Sequence, residues 1–236
     1  MAKGDKWIDG IARDNVFHRR LSDVRNNSLT EDHMKALEEL NLPREKTIFS
    51  NEPDKNKHKK TLLSQEDVLR IAFYDDVTAA YNFRFLVRRL ERELKRSKRY
   101  NRPLSVFICD LHGFKKIRDS FGITAVEEAQ AQAAKHLIDA TRIDVDMVAR
   151  FGDERFIVML PETPGSGAAI LAERVSKMFE AVELEYRWHK LKVEAAIGIA
   201  YFPGIANDAA EIIAKADLAC DLVIEKGGNG TAFCPA

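Results

Sequence analysis

The stretch Leu104–Leu111, LSVFICDL, constrains the chain more than any other. A near-continuous apolar run of this length, rather than an alternating one, is the pattern of a strand buried on both faces. Such a strand needs helices above and below it, so the chain must supply covering elements on two sides of a sheet. The rest of the sequence provides them. TAVE at 124–127 has the spacing of a capping box and launches an alanine-rich helix to about Arg142. DMVARFG and RFIVMLP read as two strands, and a helix of about 165–181 follows. AAIGIAYFP is a second central strand, 208–226 a last amphipathic helix, and TAFC an edge strand. From Leu104 the order is strand, helix, helix, strand–turn–strand, helix, strand, helix. That alternation predicts an α/β (α+β) sandwich, a mixed sheet with helices packed on it.

The segment before this region has a different texture. Residues 1–62 are rich in charge and sparse in apolar side chains. A helix over about 6–21 gathers Trp7, Ile8, Ile11, Phe17 and Leu21 roughly on one side. A second begins at Thr30, with Leu29 and Met34 placed as a hydrophobic staple, and stops before Pro43. Residues 44–62 read as a charged linker whose KNKHKK cluster is a solvated tether. Short helices with so few apolar residues have no independent core, which marks 1–62 as an N-terminal extension that docks on something else. Trp7, Ile8 and Phe17 are the expected anchors of that contact. The second unit, 63–236, starts with a leading helix at Ser64, continues through the turn-rich DDVTAAYN, and carries a long basic helix capped by Asn82.

Charge and cysteine usage remove several function classes. The chain has 37 basic and 37 acidic residues, so no global field draws it to nucleic acid or to an anionic membrane. No stretch approaches the roughly 20 apolar residues that span a bilayer, and the charged N-terminus lacks the apolar run of a signal peptide. Three cysteines, Cys109, Cys220 and Cys234, have no metal-ligand spacing and read as thiols of a reducing, cytoplasmic compartment.

The segment RFGDERFIVML at 150–160 sets Asp153, Glu154 and Arg155 at the tip of a predicted hairpin, either as a site or as a solvated turn. The surrounding motifs bear on that choice. DDVTAAYN, DLHGFKKIRDSFG, DMVARFGDERFIVMLP, AAIGIA and ADLACDLVIEKGGNG match in order and spacing D-x-L-T-G-L-x-N, D-L-D-x-F-K-x-I-N-D-x-Y-G, D-x-V-A-R-Y-G-G-D-E-F-x-V-L-L-P, S-I-G-V-A and A-D-x-A-L-Y-x-A-K-x-x-G-R-N. Over about 74–236 the chain therefore resembles the GGDEF family of bacterial diguanylate cyclases. The resemblance implies a palm-like nucleotidyl-cyclase fold. It also implies a homodimer in which each domain holds one GTP and Mg²⁺ and the two nucleotides are joined into cyclic di-GMP. By position, Asp110 and Glu154 correspond to the metal carboxylates and Lys115 to a phosphate contact.

Elsewhere the family pattern is altered. The signature reads Gly152, Asp153, Glu154, Arg155, Phe156, so a carboxylate replaces the second glycine and a guanidinium the fourth, acidic, position. His112 stands where an acidic residue is usual. The base-recognising Asn and Asp correspond to Arg118 and Glu127, a nearby glycine to Val126, and the distal phosphate-holding Lys and Arg to Ile224 and Gly228. Arginine only donates, so guanine donors facing Arg118 would meet a second donor. These changes predict no catalytic residue in working order, vestigial metal and phosphate positions, and no need for Mg²⁺. The family's inhibitory cyclic di-GMP site, an R-x-x-D before the signature, is matched by Asp146, with Ile143 at the arginine position, Arg142 one residue early and Arg174 as a supporting arginine. The primary expectation is an inactive signalling protein that binds another protein. A cyclic di-GMP or nucleotide receptor is the alternative, and an active cyclase with atypical residues the second alternative.

Overall fold

The computed structural model describes residues 70–204 and 206–234. The extension 1–62, with Trp7, Ile8 and Phe17, and the start of the leading helix at Ser64 lie outside the described residues. The first described element is the helical end Arg70–Phe73. Then come β1 (Tyr81–Asn82), α1 (Phe83–Tyr100), β2 (Leu104–His112), α2 (Phe114–Phe121), α3 (Ile123–Ala140), β3 (Met147–Arg150) and β4 (Arg155–Pro161). The remainder is α4 (Gly165–Ala181), β5 (Leu184–Tyr186), β6 (His189–Leu191), β7 (Glu194–Phe202), α5 (Ala209–Glu225) and β8 (Gly230–Phe233).

Six strands form one mixed sheet in the order β1-β3-β4-β2-β7-β8. β2 lies near its middle, antiparallel to β4 on one side and to β7 on the other, while the outer pairs β1–β3 and β7–β8 are parallel. The pleat sends alternate side chains of β2 to opposite layers. Phe107, Cys109 and Leu111 enter a core with α2, α3 and α4; Leu104, Val106 and Ile108 enter a second core with α1 and α5. This is the two-sided burial expected of LSVFICDL, and TAFC lies on the edge strand β8 as predicted.

Helix α5 crosses β7 at unusually close range because position 198 lacks a side chain. A Cβ built there would lie 2.1 Å from both the Ala216 carbonyl oxygen and the Cys220 amide nitrogen. The three cysteines are buried thiols, and burial pushes Cys220 up to about 12, consistent with an inert packing role. Asn82 caps α1 as expected, its Oδ1 accepting from the Phe85 amide at 2.9 Å.

Three local expectations are corrected. The capping box at Thr124 does not form: α3 starts at Ile123 directly after Gly122, which also ends α2, so Thr124 already lies inside the first turn. DDVTAAYN contributes a two-residue strand, β1, in addition to its turn. The hairpin β5–β6 is an element that the charged segment LEYRWHKL did not reveal.

Candidate functional site

Strand register brings the first pair of site residues together. Asp110, near the end of β2, is directly opposite Arg155, the first residue of β4. Arg155 Nε donates to Asp110 Oδ2 at 2.5 Å, Nη1 to Asp217 Oδ1 at 2.6 Å and Nη2 to Asp221 Oδ1 at 3.2 Å. Asp217 and Asp221 are one turn apart on α5, so one guanidinium joins the hairpin, the central strand and the last helix. The Asp110 side chain is only 9% exposed, a setting in which an uncompensated carboxylate is costly. His112 approaches the same carboxylate from the other side, Nδ1 lying 3.4 Å from Oδ1. Its Nε2 is buried with no hydrogen-bond partner, and the ring lies beside Gly228, where a Cβ would meet His112 Cδ2 at 3.5 Å.

Glu154 sits one residue away and is not part of that cluster of bonds. Burial, then the charge of Asp110, raises its carboxyl above the ordinary glutamate range, with Asp153 adding to the rise; Arg118 and His112 pull it the other way. A folded-state value above the unfolded one means the folded protein binds the proton more tightly. The charged form therefore costs stability above the raised pKa, and that cost fades as pH falls through it toward the unfolded value. Glu154→Gln is expected to melt higher than wild type at pH 7 and to converge with it near pH 4, measured by thermal melts across pH. A variant that melts lower at pH 7 would show that Glu154 is stabilised as an anion.

The hairpin keeps its shape through a second network. Gly152 adopts φ +87°, a left-handed conformation that suits glycine at the turn. The Leu111 amide donates to the Glu154 carbonyl at 2.9 Å, and the Phe151 amide to the Arg155 carbonyl at 2.8 Å. Behind the turn, Arg150 donates to Asp75, to Gln130 Oε1 at 3.0 Å and to the Gly152 carbonyl at 3.1 Å, while Gln130 donates to the Asp153 carbonyl. Asp75 also accepts from the Val77 and Thr78 amides and from the Thr78 hydroxyl. Asp153 itself is exposed.

The other positions matched to nucleotide binding fall into two groups. Lys115 and Arg118 are exposed on α2. Val126 is buried in the core beneath α3, and Ile224 packs against the core beneath α5, so both act as packing residues. Mg²⁺ requires nearly octahedral oxygen ligands with several waters. Here Asp110 Oδ2 faces Arg155, and among the described residues no group of three or more His, Cys, Asp or Glu side chains is placed to hold a metal ion. A nucleotide-bound Mg²⁺ takes one or two protein carboxylates, and of the two candidates here Asp110 is already bonded to a guanidinium.

Arg142, Asp146 and Arg174 do come together, lining a cleft of about 300 Å³ with Thr163 and Ile170. Within it, Arg142 Nη2 is engaged with Asp146 Oδ1 at 2.6 Å, the Pro161 carbonyl at 2.8 Å and Thr163 Oγ1 at 2.9 Å. Arg174 Nη2 donates to the Ala140 carbonyl at 2.6 Å. Ile143 points outward, 85% exposed. Sequence reasoning missed Asp75, Gln130, Arg150, Asp217 and Asp221. Only the i, i+4 spacing of Asp217 and Asp221 on an amphipathic helix offered a signal for a shared cation.

Residues 72–230 match the family described as diguanylate cyclase, GGDEF domain. MucR of Pseudomonas aeruginosa, described as a bifunctional diguanylate cyclase/cyclic di-GMP phosphodiesterase, is 28% identical over 170 residues, covering 72% of this chain and 24% of MucR. The chain thus spans about a quarter of that relative's length. Among solved structures, the isolated GGDEF domain of TpbB (YfiN) from the same organism superposes with a TM-score of 0.65 at 26% identity, covering 69% of this chain and 94% of that one. The active GGEEF domain of a diguanylate cyclase from Vibrio cholerae gives a TM-score of 0.59 at 26% identity, covering 66% and 97%. Among the described residues no helix is long and apolar enough to cross a membrane.

Proposed function

We infer that this chain, which belongs to the GGDEF family of diguanylate cyclase domains, has kept the family's framework and given up its catalysis. The observation that carries this reading is the engagement of Asp110 by Arg155. Joining two GTP molecules needs carboxylates free to hold metal against a triphosphate, with negative charge at the hairpin to attract the ion. A guanidinium bonded to one of those two carboxylates both competes for it and repels the incoming cation. Arg118, Val126, Ile224 and Gly228 add the loss of base and phosphate contacts, so the defect is spread over the whole pocket.

The remaining asset is surface, and the protein acts in cyclic di-GMP-related signalling by binding another protein. Large apolar side chains left in solvent support this role: Trp188, at the tip of the β5–β6 hairpin, is 97% exposed, Ile143 is exposed beside Arg142 in sequence, and the exposed Ile170 lines the Arg142–Arg174 cleft. Aromatic anchors of this kind dominate interface energies. The receptor reading ranks second because the Arg142 guanidinium is already engaged within the chain.

Incubation of the purified protein with GTP and Mg²⁺ or Mn²⁺ is expected to yield no cyclic di-GMP above a blank in which Asp110 and Glu154 are both alanine. The pair of changes Asp153→Gly and Arg155→Glu, which moves the signature back toward the family's, is expected to leave turnover absent. Product from the wild-type chain would overturn the reading, and product from the double variant alone would confine the defect to the hairpin.

A further inference from the structure

We infer that Arg155 is an internal cross-link, shaped for a guanidinium, that fixes the β3–β4 hairpin against α5 and makes the pocket's geometry independent of any metal or nucleotide. The inference rests on the reading that this pocket does not work through a metal-bound nucleotide, but it concerns architecture rather than turnover. Three carboxylates meet one planar side chain along three of its N–H directions: Asp110 on Nε, Asp217 on Nη1 and Asp221 on Nη2. These acceptors are spread around a fork. They do not converge on a point, which agrees with the lack of a metal-holding group among the described residues.

A guanidinium matches such an array because its donors are rigidly divergent, whereas an ammonium or a small divalent ion presents a compact charge. The three acids also differ in setting. Asp110 is almost fully enclosed, Asp217 is partly buried, and Asp221 is about half exposed. Removing the cation therefore takes from the buried Asp110 carboxylate its hydrogen-bonded partner, leaving the more distant His112 Nδ1 at 3.4 Å, and frees α5 from the hairpin tip at the same time. In the resembling family motif A-D-x-A-L-Y, Asp217 falls on the aspartate and Asp221 on the tyrosine, so Asp221 and Arg155 are two departures from the pattern that meet in space. Their pairing gives the altered signature a structural purpose: the pocket walls are held together permanently, and the same face is presented with or without ligand.

Melting curves of the whole chain test this, apart from any assay of turnover. Wild type is expected to melt at the same temperature in 5 mM Mg²⁺ and in chelator. Arg155→Ala is expected to melt roughly 6–12 °C lower. Arg155→Lys should recover less than half of that loss. Guanidinium chloride at about 20 mM, far below denaturing strength, is expected to raise the Arg155→Ala melting point while leaving wild type unmoved, and Mg²⁺ at the same concentration should not substitute for it. Full recovery by lysine, rescue by Mg²⁺ equal to that by guanidinium, or a melting point for Arg155→Ala within 2 °C of wild type would each overturn the inference. If Arg155→Ala cannot be recovered folded, the Arg155→Lys comparison decides alone, since a lysine that melts like wild type sinks the idea.

Discussion

Gly198→Ala is expected to cost about 4 kcal/mol or more, a large part of the domain's stability, and to move its urea unfolding midpoint far below that of wild type. The added methyl would sit 2.1 Å from the Ala216 carbonyl oxygen and the Cys220 amide nitrogen, and 2.7 Å from the Ala219 carbonyl carbon. These are backbone atoms of α5, so no side-chain rotation relieves the clash. The helix must lift off β7, opening the core formed by Ile212, Ile213, Ala216 and Cys220. Inserting one methylene group into a tight core ordinarily costs about 1–3 kcal/mol, and a rigid backbone neighbour places this case above that range. Against a total of about 5–15 kcal/mol for a typical domain, the loss is severe. Urea unfolding of the variant measures it directly. A midpoint close to that of wild type would show that α5 lies farther from the sheet than described.

Asp75→Ala is expected to cost about 3–5 kcal/mol and to lower the melting temperature by roughly 10 °C. Its carboxylate compensates Arg150, and both side chains are largely enclosed, 11% and 15% exposed. The same carboxylate accepts from the Val77 and Thr78 amides and the Thr78 hydroxyl, which would lose their partner together. Pairing it with Arg150→Met should recover part of the loss, because the stranded charge is then gone, although the Asp75 turn bonds and the Arg150 bonds to Gln130 and the Gly152 carbonyl are missing. Loss of the same size in single and double variants would show that these hydrogen bonds, not the ion pair, carry the effect.

Much of the framework was legible because it depends on local pattern. LSVFICDL announces burial on two faces by its composition alone. RFGDERFIVMLP announces a hairpin because glycine separates two apolar runs, and Asn82 announces a helix start because its side chain serves an amide three residues away. The elements that escaped depend on distant partners. LEYRWHKL is too short and too charged to read as a hairpin, and its strands are fixed by distant partners: Leu184 and Leu191 pair over the adjacent core, and the Gln132 side chain bonds both the amide and the carbonyl of Glu185. Thr124 has the right neighbours for a cap, yet Gly122 already turns the chain two residues earlier. In the site, Asp110 and Glu154 were identifiable by position in a motif. Arg155 was identifiable as a wrong charge, but its bonds to Asp217 and Asp221 cross more than sixty residues and arise only from folding. Val126 and Ile224, read as losses from a binding pocket, proved also to be contributors to packing.

The sheet order has a consequence for how the molecule is made. β2 pairs along all nine residues with β7, which is synthesised roughly ninety residues later. At about 5–20 residues per second, a ribosome leaves that edge without its partner for roughly 5–20 seconds. During this interval a strand that is buried along nearly its whole length in the folded domain is a nascent template with one edge unpaired, open to the same strand on a neighbouring ribosome. Slower translation before residue 202 would lengthen the exposure, so the yield of soluble protein should depend on the pace of synthesis between β2 and β7.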